Sequence, residues 1–534
     1  MHKSTRFALL LCTLLSFAAV GSPTFTMVPM DDGTKLATDV HLPGGEAPWP
    51  AIVLRSTYGR MGSVAREWLE LNYAVVIQDV RGMGDSEGEA HVFYADGWRE
   101  DQHDGADTVA WVKAQPWCDG KIGTWGGSAL AITEMLMAPT TPDIAVQHMV
   151  ATPANLYFDT AYHGGVLRKM LIEGWLTSIR QPHMIDVYKS HPRYDDYWAH
   201  FDTVAKAADI NAPALFENGW YDIFQQGTID GFLAREGQGA APAKGNNFLI
   251  MKWSSHGPDV EDDYKLNENR FDLKISKLRD QIFRHYLRGN DDISEIPKVH
   301  YYVMGADTPN APGNEWRTAN QWPPYETTAT TYYLHQDSTL STNTPNADGV
   351  RSYVFDPANP VPTHGGNNLL MPSGAFNQKK HTEGRADILH FMTEPLDAPI
   401  EITGRVTVRL NISTDAPDTD FTAMLLDIYP DGDGRELNIL DNIRRVKTRN
   451  GFAEAAPLLT GTEEIVTLEI DLWSTAWVFD TGHRIGLNIS SSNHPRFEVN
   501  PNTGEDFPGE ELRKATNIIH LSAEHPSALI LPLR

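Results

Sequence analysis

The stretch GTWGGSALAITEMLMAP, residues 123–139, joins a strand-like run to a helix-forming run through two glycines and a serine. Residues 120–125 (GKIGTW) read as a short buried strand. Residues 129–138 are rich in good helix formers and are stopped by Pro139. Strand, Gly-Gly-Ser, helix is the outline of a tight turn that presents a serine hydroxyl above the end of a sheet. The usual pattern has glycine two residues after the serine, and here that residue is Leu130. Taken alone, the stretch fits an ordinary strand-to-helix turn equally well. The flanking chain has to decide.

On both sides of this turn, strands and helices alternate. Residues 34–42 and 51–54 read as strands and 64–72 as a helix. YAVVIQDV (73–80) is a near-continuous apolar run, as expected for a strand buried on both faces. Residues 101–114 have helical periodicity. Residues 144–151, 214–218 and 247–253 read as further strands, and 271–287 as a helix that stops at Gly289. This alternation implies a mostly parallel sheet with helices on both faces, over residues 22–295. Residues 156–210 break the rhythm. They are dense in aromatics and histidines and read as a helical cap over the sheet's C-terminal edge. After residue 296 helical periodicity nearly disappears. Short alternating runs at 330–335, 352–355, 405–412, 465–472, 484–489 and 518–521 are separated by Gly, Asn, Asp and Pro. That texture is an all-β sandwich or jelly roll over 296–534.

Composition bounds the function. The chain has 534 residues and a formal net charge of -26, which argues against nucleic acid or an anionic membrane as a partner. Residues 1–21 have a secretory order: basic Lys3 and Arg6, an apolar run over 7–20, then small residues. Cleavage after Gly21 and a periplasmic or secreted protein are expected. The apolar run is too short for a membrane span. Only Cys118 would remain in the mature chain, so no intramolecular disulfide is expected, and its Pro-Trp-Cys-Asp-Gly setting reads as a turn.

If Ser128 is a nucleophile, it needs a base, and the base needs an acid to orient it. On a sheet of this kind the partners follow in the order acid, then histidine, each just past a later strand. Asp222 in ALFENGWYDIF and His256 in FLIMKWSSHGP stand at such places. Their alternatives are a helix cap for Asp222 and a loop histidine for His256. Three candidates in the right order favour the triad. The oxyanion would take the backbone N–H of Ala129 and a donor from the AIVLRSTYGR loop, where Tyr58 by itself reads as a packing residue.

At this point the chain resembles the X-Pro dipeptidyl-peptidase and cocaine esterase family of serine hydrolases, which includes α-amino acid ester hydrolases and glutaryl acylases. The resemblance rests on RSTYGR (55–60), VVIQDVRGMGDSEGE (75–89), IGTWGGSALA (122–131), NGWYDIF (218–224) and KWSSHG (252–257). It continues in EGRADILHFMTEPL (383–396), DTDFTAMLLDIYPDG (418–432) and SSSNHPRFEVNPNTGE (490–505). It implies an α/β hydrolase with a helical cap and a C-terminal jelly roll. It implies Ser128 as nucleophile, Asp222 as acid and His256 as base, and it makes Tyr58 an oxyanion donor through its hydroxyl. The family has Tyr after the serine and Gly three residues after it, where this chain has Ala129 and Ala131. The missing tyrosine widens the expected pocket.

The expected activity is cleavage of carboxylic esters, with amides as a further substrate class, and without a cofactor or metal. The small-molecule ester or amide is the expected partner, and the oligomeric state is left open. X-Pro dipeptidyl-peptidase or α-amino acid ester hydrolase activity is the alternative within the family. A catalytically inert glycan- or partner-binding protein is the alternative outside it. Asp195 and Asp196 in the cap are candidates for an ammonium-binding pair, although an acidic surface turn explains them too; Glu134 is the nearest acidic residue after Ser128. Trp220 is a further substrate-contact candidate. RGMGDSEGE (81–89) lacks the third glycine of a dinucleotide fingerprint and reads as a structural loop. DAPDTDF (415–421) and YPDGDGRE (429–436) read as hairpin turns rather than calcium loops.

Overall fold

A computed structural model describes residues 22–99, 101–258, 261–345 and 349–534. The expected leader, residues 1–21, lies outside the described residues. The N-terminal sheet contains β1 (Thr24–Pro29), β2 (Lys35–His41), β3 (Trp49–Ser56), β4 (Ala74–Asp79), β5 (Cys118–Gly127) and β6 (Ile144–Val150). A small hairpin of β7 (Tyr162–His163) and β8 (Val166–Leu167) stands apart from it. The sheet resumes with β9 (Ala214–Tyr221), β10 (Phe248–Ser255), β11 (Val299–Gly305) and β12 (Glu315–Ala319). Pairing gives the order β1-β2-β4-β3-β5-β6-β9-β10-β11-β12, parallel from β4 to β11. This is the expected α/β-hydrolase sheet.

Period-two alternation on β3 assigns its faces. Ile52 and Leu54 pack with Trp68 of α1 (Ala65–Glu70) and with Phe283. Ala51 and Val53 pack with Val109 and Val112 of α2 (Asp104–Lys113). The elbow leads from β5 into α3 (Ala129–Met137). The cap carries α4 (Lys169–Ser178), α5 (His183–Ser190) and the one-turn α6 (Asp196–Ala199), and α7 (Gln225–Gln238) follows β9. The cap is less helical than expected, because it opens with a π turn, Tyr157–Ala161, and the β7–β8 hairpin. Helix α8 (Ile275–Arg288) begins later than the apolar periodicity suggests, since Phe271 lies in a separate short turn and is exposed. It ends as expected at Gly289, whose φ of 67° is the left-handed C-cap.

The C-terminal half is two antiparallel layers. One holds β13 (Thr328–Leu334), β14 (Leu340–Ser341), β15 (Val350–Phe355), β17 (Ile400–Thr414), β20 (Val466–Phe479), β22 (Ala515–His520) and β23 (Ala528–Leu533). The other is β16 (Leu389–Met392), β21 (Arg484–Ser490), β18 (Asp420–Ile428) and β19 (Glu436–Arg445), in that order. The division expected near residue 295 falls ahead of β11 and β12, which still belong to the N-terminal sheet. Strand β11 then runs on beside β20, with Met304 opposite Trp477, so the two halves share a strand.

The loops that raised other chemistry are structural. YPDGDGRE spans the β18–β19 turn, where Asp433 accepts from Arg435. Buried Asp418 and Asp420 face Arg445 at 3.8 and 2.8 Å. In RGMGDSEGE, Arg81 pairs with Asp104 and Asp32, and Asp85 with Arg60. No helix among the described residues is long and apolar enough to cross a membrane.

Candidate active site

Ser128 sits at the joint of β5 and α3 with φ 57° and ψ −124°, a left-handed backbone that few non-glycine residues adopt. Its N–H donates to the Val150 carbonyl on β6 at 2.9 Å, and its carbonyl accepts from Ile132 N–H at 3.0 Å. Gly126 makes the turn sterically feasible: a Cβ there would lie 2.5 Å from Glu134 Oε1 and 2.7 Å from Leu130 Cβ. The glycine two residues before the serine is therefore required.

Three side chains meet above this turn. The Ser128 hydroxyl donates to His256 Nε2 at 2.8 Å, and His256 Nδ1 donates to Asp222 Oδ2 at 2.7 Å. Because a carboxylate only accepts, the imidazole proton belongs on Nδ1, and the Nε2 lone pair faces the hydroxyl. Asp222 is buried, and its Oδ1 accepts from Phe224 N–H at 2.7 Å. Its strand β9 and the His256 strand β10 approach closely at Gly219, where a Cβ would meet the Ser254 carbonyl oxygen at 2.0 Å. The Phe224 ring stands edge-on to the imidazole at 5.5 Å. This chain of bonds lets the imidazole take a hydroxyl proton while a fixed carboxylate balances the charge.

Ala129 is the first residue of α3, so its N–H lies in the turn whose donors have no intrahelical acceptor. In the loop after β3, the Tyr58 backbone N–H is taken by Ser56 Oγ at 3.0 Å. The Tyr58 hydroxyl is half-exposed and accepts from Trp175 Nε1 at 3.0 Å, which leaves its own proton to donate. Trp175 lines the pocket onto which Ser128 opens.

That pocket is narrow, with a cavity volume of about 20 Å³. Ser128 and Ala129 form its floor, and Phe93, Ile172, Trp175, Phe224 and Leu369 form much of its wall. Phe93 and Trp175 stack at 5.6 Å with nearly parallel planes. Among the described residues lining it, no side chain is a carboxylate, ammonium, guanidinium or imidazole.

The other sequence candidates are elsewhere. Asp195 is the N-cap of α6, accepting from Tyr197 N–H at 3.1 Å and Trp198 N–H at 3.4 Å, and it also binds His191 at 2.6 Å. Its neighbour Asp196 is exposed in the first turn, and neither residue lines the Ser128 pocket. Trp220 is core: its indole donates to the Tyr302 carbonyl at 2.7 Å and packs against Trp322. Glu134 is buried behind the elbow against Thr124, where desolvation raises its pKa.

Sequence reasoning missed Phe224, Trp175, Phe93 and Leu369 as pocket walls. Phe224 was within sight, two residues after Asp222, whereas the others come from three separate segments. It also missed two supports of the acid loop. Asn367, from the C-terminal half, donates Nδ2 to the Asp222 carbonyl at 2.7 Å. Buried Arg168 donates to the Ile223 carbonyl at 2.8 Å and the Asn367 carbonyl at 3.1 Å.

The X-Pro dipeptidyl-peptidase (S15 family) model matches residues 32–181 and 177–258, and the X-Pro dipeptidyl-peptidase C-terminal non-catalytic domain matches 292–530. The cocaine esterase of Rhodococcus sp. (strain MB1 Bresler) is 32% identical, over 95% of this chain and 97% of that protein. The chain belongs to this family of serine hydrolases. An aminopeptidase structure from a marine sediment Thaumarchaeota archaeon has a TM-score of 0.81 at 23% identity, covering 96% of each chain. An α-amino acid ester hydrolase structure has a TM-score of 0.80 at 23% identity, again with 96% of each chain covered. Those two likenesses establish that this serine hydrolase shares their fold.

Proposed function

We propose that this serine hydrolase cleaves carboxylic esters with an apolar, uncharged acyl group through an acyl-enzyme on Ser128. The observation that carries the reading is the pocket: the Ser128 hydroxyl, hydrogen-bonded to His256, opens onto aromatic and aliphatic walls without a charged side chain among the described residues. A peptidase that holds a free N-terminus, or an α-amino acid ester hydrolase, needs a carboxylate near the acyl group to pair with the ammonium. Thr160 is the polar side chain on the pocket wall away from Ser128 and Tyr188. The esterase name of the Rhodococcus relative agrees with this reading.

Ser128 Oγ attacks the ester carbonyl carbon while His256 Nε2 takes its proton. Asp222 stabilises the imidazolium and holds its Nδ1–H. The oxyanion accepts from Ala129 N–H and the Tyr58 hydroxyl. The tetrahedral intermediate expels the alcohol, which leaves with the proton from Nε2. Water, deprotonated by His256, then releases the acid. The chain's own groups supply every proton transfer. The basic, apolar and small-residue order of residues 1–21 favours action outside the cytoplasm.

A substrate panel tests this. p-Nitrophenyl benzoate and butyrate are expected to give kcat/KM values at least about 100-fold above that of Ala-Pro p-nitroanilide, because the anilide's ammonium finds no partner in the pocket. Faster turnover of the anilide would reject the reading.

A further inference from the structure

The proposed oxyanion donor, Tyr58, is anchored at one end by its own loop and at the other by the cap. At the backbone end, the Tyr58 N–H donates to Ser56 Oγ at 3.0 Å. Arg60, two residues on, reaches Asp39 at 3.3 Å, Asp85 at 2.9 Å and also Asp79. The phenol end is different. The residue is 43% exposed, and among the described residues its hydroxyl makes one hydrogen bond, accepted from Trp175 Nε1 at 3.0 Å. A phenol left free in water turns and donates to solvent, whereas an oxyanion donor works best when it is already aimed.

Trp175 is itself fixed. It stands in α4, which Lys169 ties to Glu498 of the C-terminal half at 2.9 Å and Glu173 ties to Lys189 of α5 at 2.6 Å. Its indole stacks on the Phe93 ring at 5.6 Å, with the planes 6° apart. Phe93 is buried and sits at φ 67°, a left-handed backbone that a bulky residue keeps only where its surroundings hold it. Such strain collects at functional sites, yet Phe93 belongs to neither the triad nor the oxyanion donors. What it fixes is the plane of the indole, and with it the line along which Nε1 points at Tyr58.

The pair works in one direction. An indole N–H can only donate, so the Tyr58 oxygen must accept, and its own proton is left for a third group. Trp175 also lines the pocket of Ser128, so the phenol it holds stands beside that pocket. Accepting a hydrogen bond polarises the phenol and strengthens what it donates.

We propose that Trp175 is the positioning residue of the oxyanion site. Its N–H holds the Tyr58 hydroxyl with the proton turned toward the oxygen that becomes negative, and the Phe93 ring sets the indole. The ring of Trp175 is wall, while its N–H acts on rate through Tyr58. This role rests on the acyl-enzyme reading, with Tyr58 as a donor to the oxyanion.

The test is a double-mutant cycle on p-nitrophenyl butyrate, with circular dichroism on each variant. Tyr58→Phe should lower kcat by about 100-fold. Trp175→Phe keeps an aromatic wall and loses the N–H; it should lower kcat by about tenfold, with KM within about threefold of the parent. In the Tyr58→Phe background the same Trp175→Phe change should lower kcat by less than about twofold, because nothing is left to position. Replacing the Trp175 indole with a benzothiophene keeps the bicyclic ring without the donor. It should match Trp175→Phe, and it carries the test if that variant does not fold. If Tyr58→Phe leaves kcat unchanged, the oxyanion reading and this proposal fall together. A slow Tyr58→Phe beside a Trp175→Phe that keeps the parent kcat, changes KM instead, or acts equally in both backgrounds would leave the oxyanion reading standing and overturn the proposal, with Trp175 as wall alone.

Discussion

A serine hydroxyl gives up its proton readily only beside an imidazole that is already oriented. In this chain the orientation comes from Asp222, held at 2.7 Å from His256 Nδ1. Asp222→Asn replaces an acceptor with an amide that favours the wrong tautomer, and it should lower kcat on activated esters by about 10⁴-fold with the fold intact. Stopped assays and circular dichroism on the same preparation check both halves. Asp159 gives a second prediction at this scale. Its carboxyl titrates from 3.8 up to about 7 in the fold, so between those values the native state holds a proton that the unfolded chain releases. Its contribution to stability is therefore full below pH 3.8 and is lost as pH rises to about 7. Asp159→Asn has no such loss, so its melting temperature should gain on the wild type as the buffer moves from pH 4 to pH 8. A constant difference across that range would count against the assignment. The order Ser128, Asp222, His256, each just past a strand, was legible, and the structure joins the three by hydrogen bonds. Asp195 and Trp220 misled because a carboxylate capping a one-turn helix, or a tryptophan bonded to a distant carbonyl, looks the same in one dimension as a binding residue.

At the scale of the element, the elbow depends on one of its two glycines. A Cβ on Gly126 would lie 2.5 Å from Glu134 Oε1 and 2.9 Å from the Leu130 carbonyl carbon, while one on Gly127 would meet nothing nearer than Val150 at 3.8 Å. Gly126→Ala should therefore destabilise by about 1–3 kcal/mol and pull Ser128 out of line, whereas Gly127→Ala should stay close to wild type in both melting temperature and turnover. Equal effects would mean that the turn is not set by close approach. The parallel strands were readable as apolar runs because they are covered on both faces. Strand β1 was not, since its TFTMVP sequence is largely exposed and only its pairing with β2 makes it a strand. The cap was readable as an interruption, but its π turn and hairpin were not, because the hairpin is fixed by a distant partner. Gly164 packs against the Ile443 carbonyl and accepts from Arg445 N–H at 2.9 Å.

At the scale of the molecule, the C-terminal half braces Asp222, the proposed catalytic acid. Asn367 donates to the Asp222 carbonyl, and Arg168 from the cap ties Ile223 to Asn367. Removing the Asn367 side chain should lower kcat by roughly tenfold with little change in KM, the cost of one lost buried hydrogen bond on a positioning residue. Asn367→Asp, which cannot donate there, should behave like Asn367→Ala, and Asn367→Gln should restore part of the rate. A chain ended near residue 295 should be insoluble, because β11 and β12 then leave the sheet and β10 becomes an uncovered apolar edge. Contacts of this kind join residues more than 140 positions apart, and no local periodicity records them.

The central claim is that Ser128 is the activated nucleophile. Intact-mass and peptide mass spectrometry after a fluorophosphonate probe tests it most directly. The account predicts one adduct per chain, on Ser128, abolished in Ser128→Ala and strongly slowed in Asp222→Asn. A well-folded protein that takes up no probe, or takes it up on another residue, would contradict the account and leave the Gly-Gly-Ser turn as a piece of scaffold.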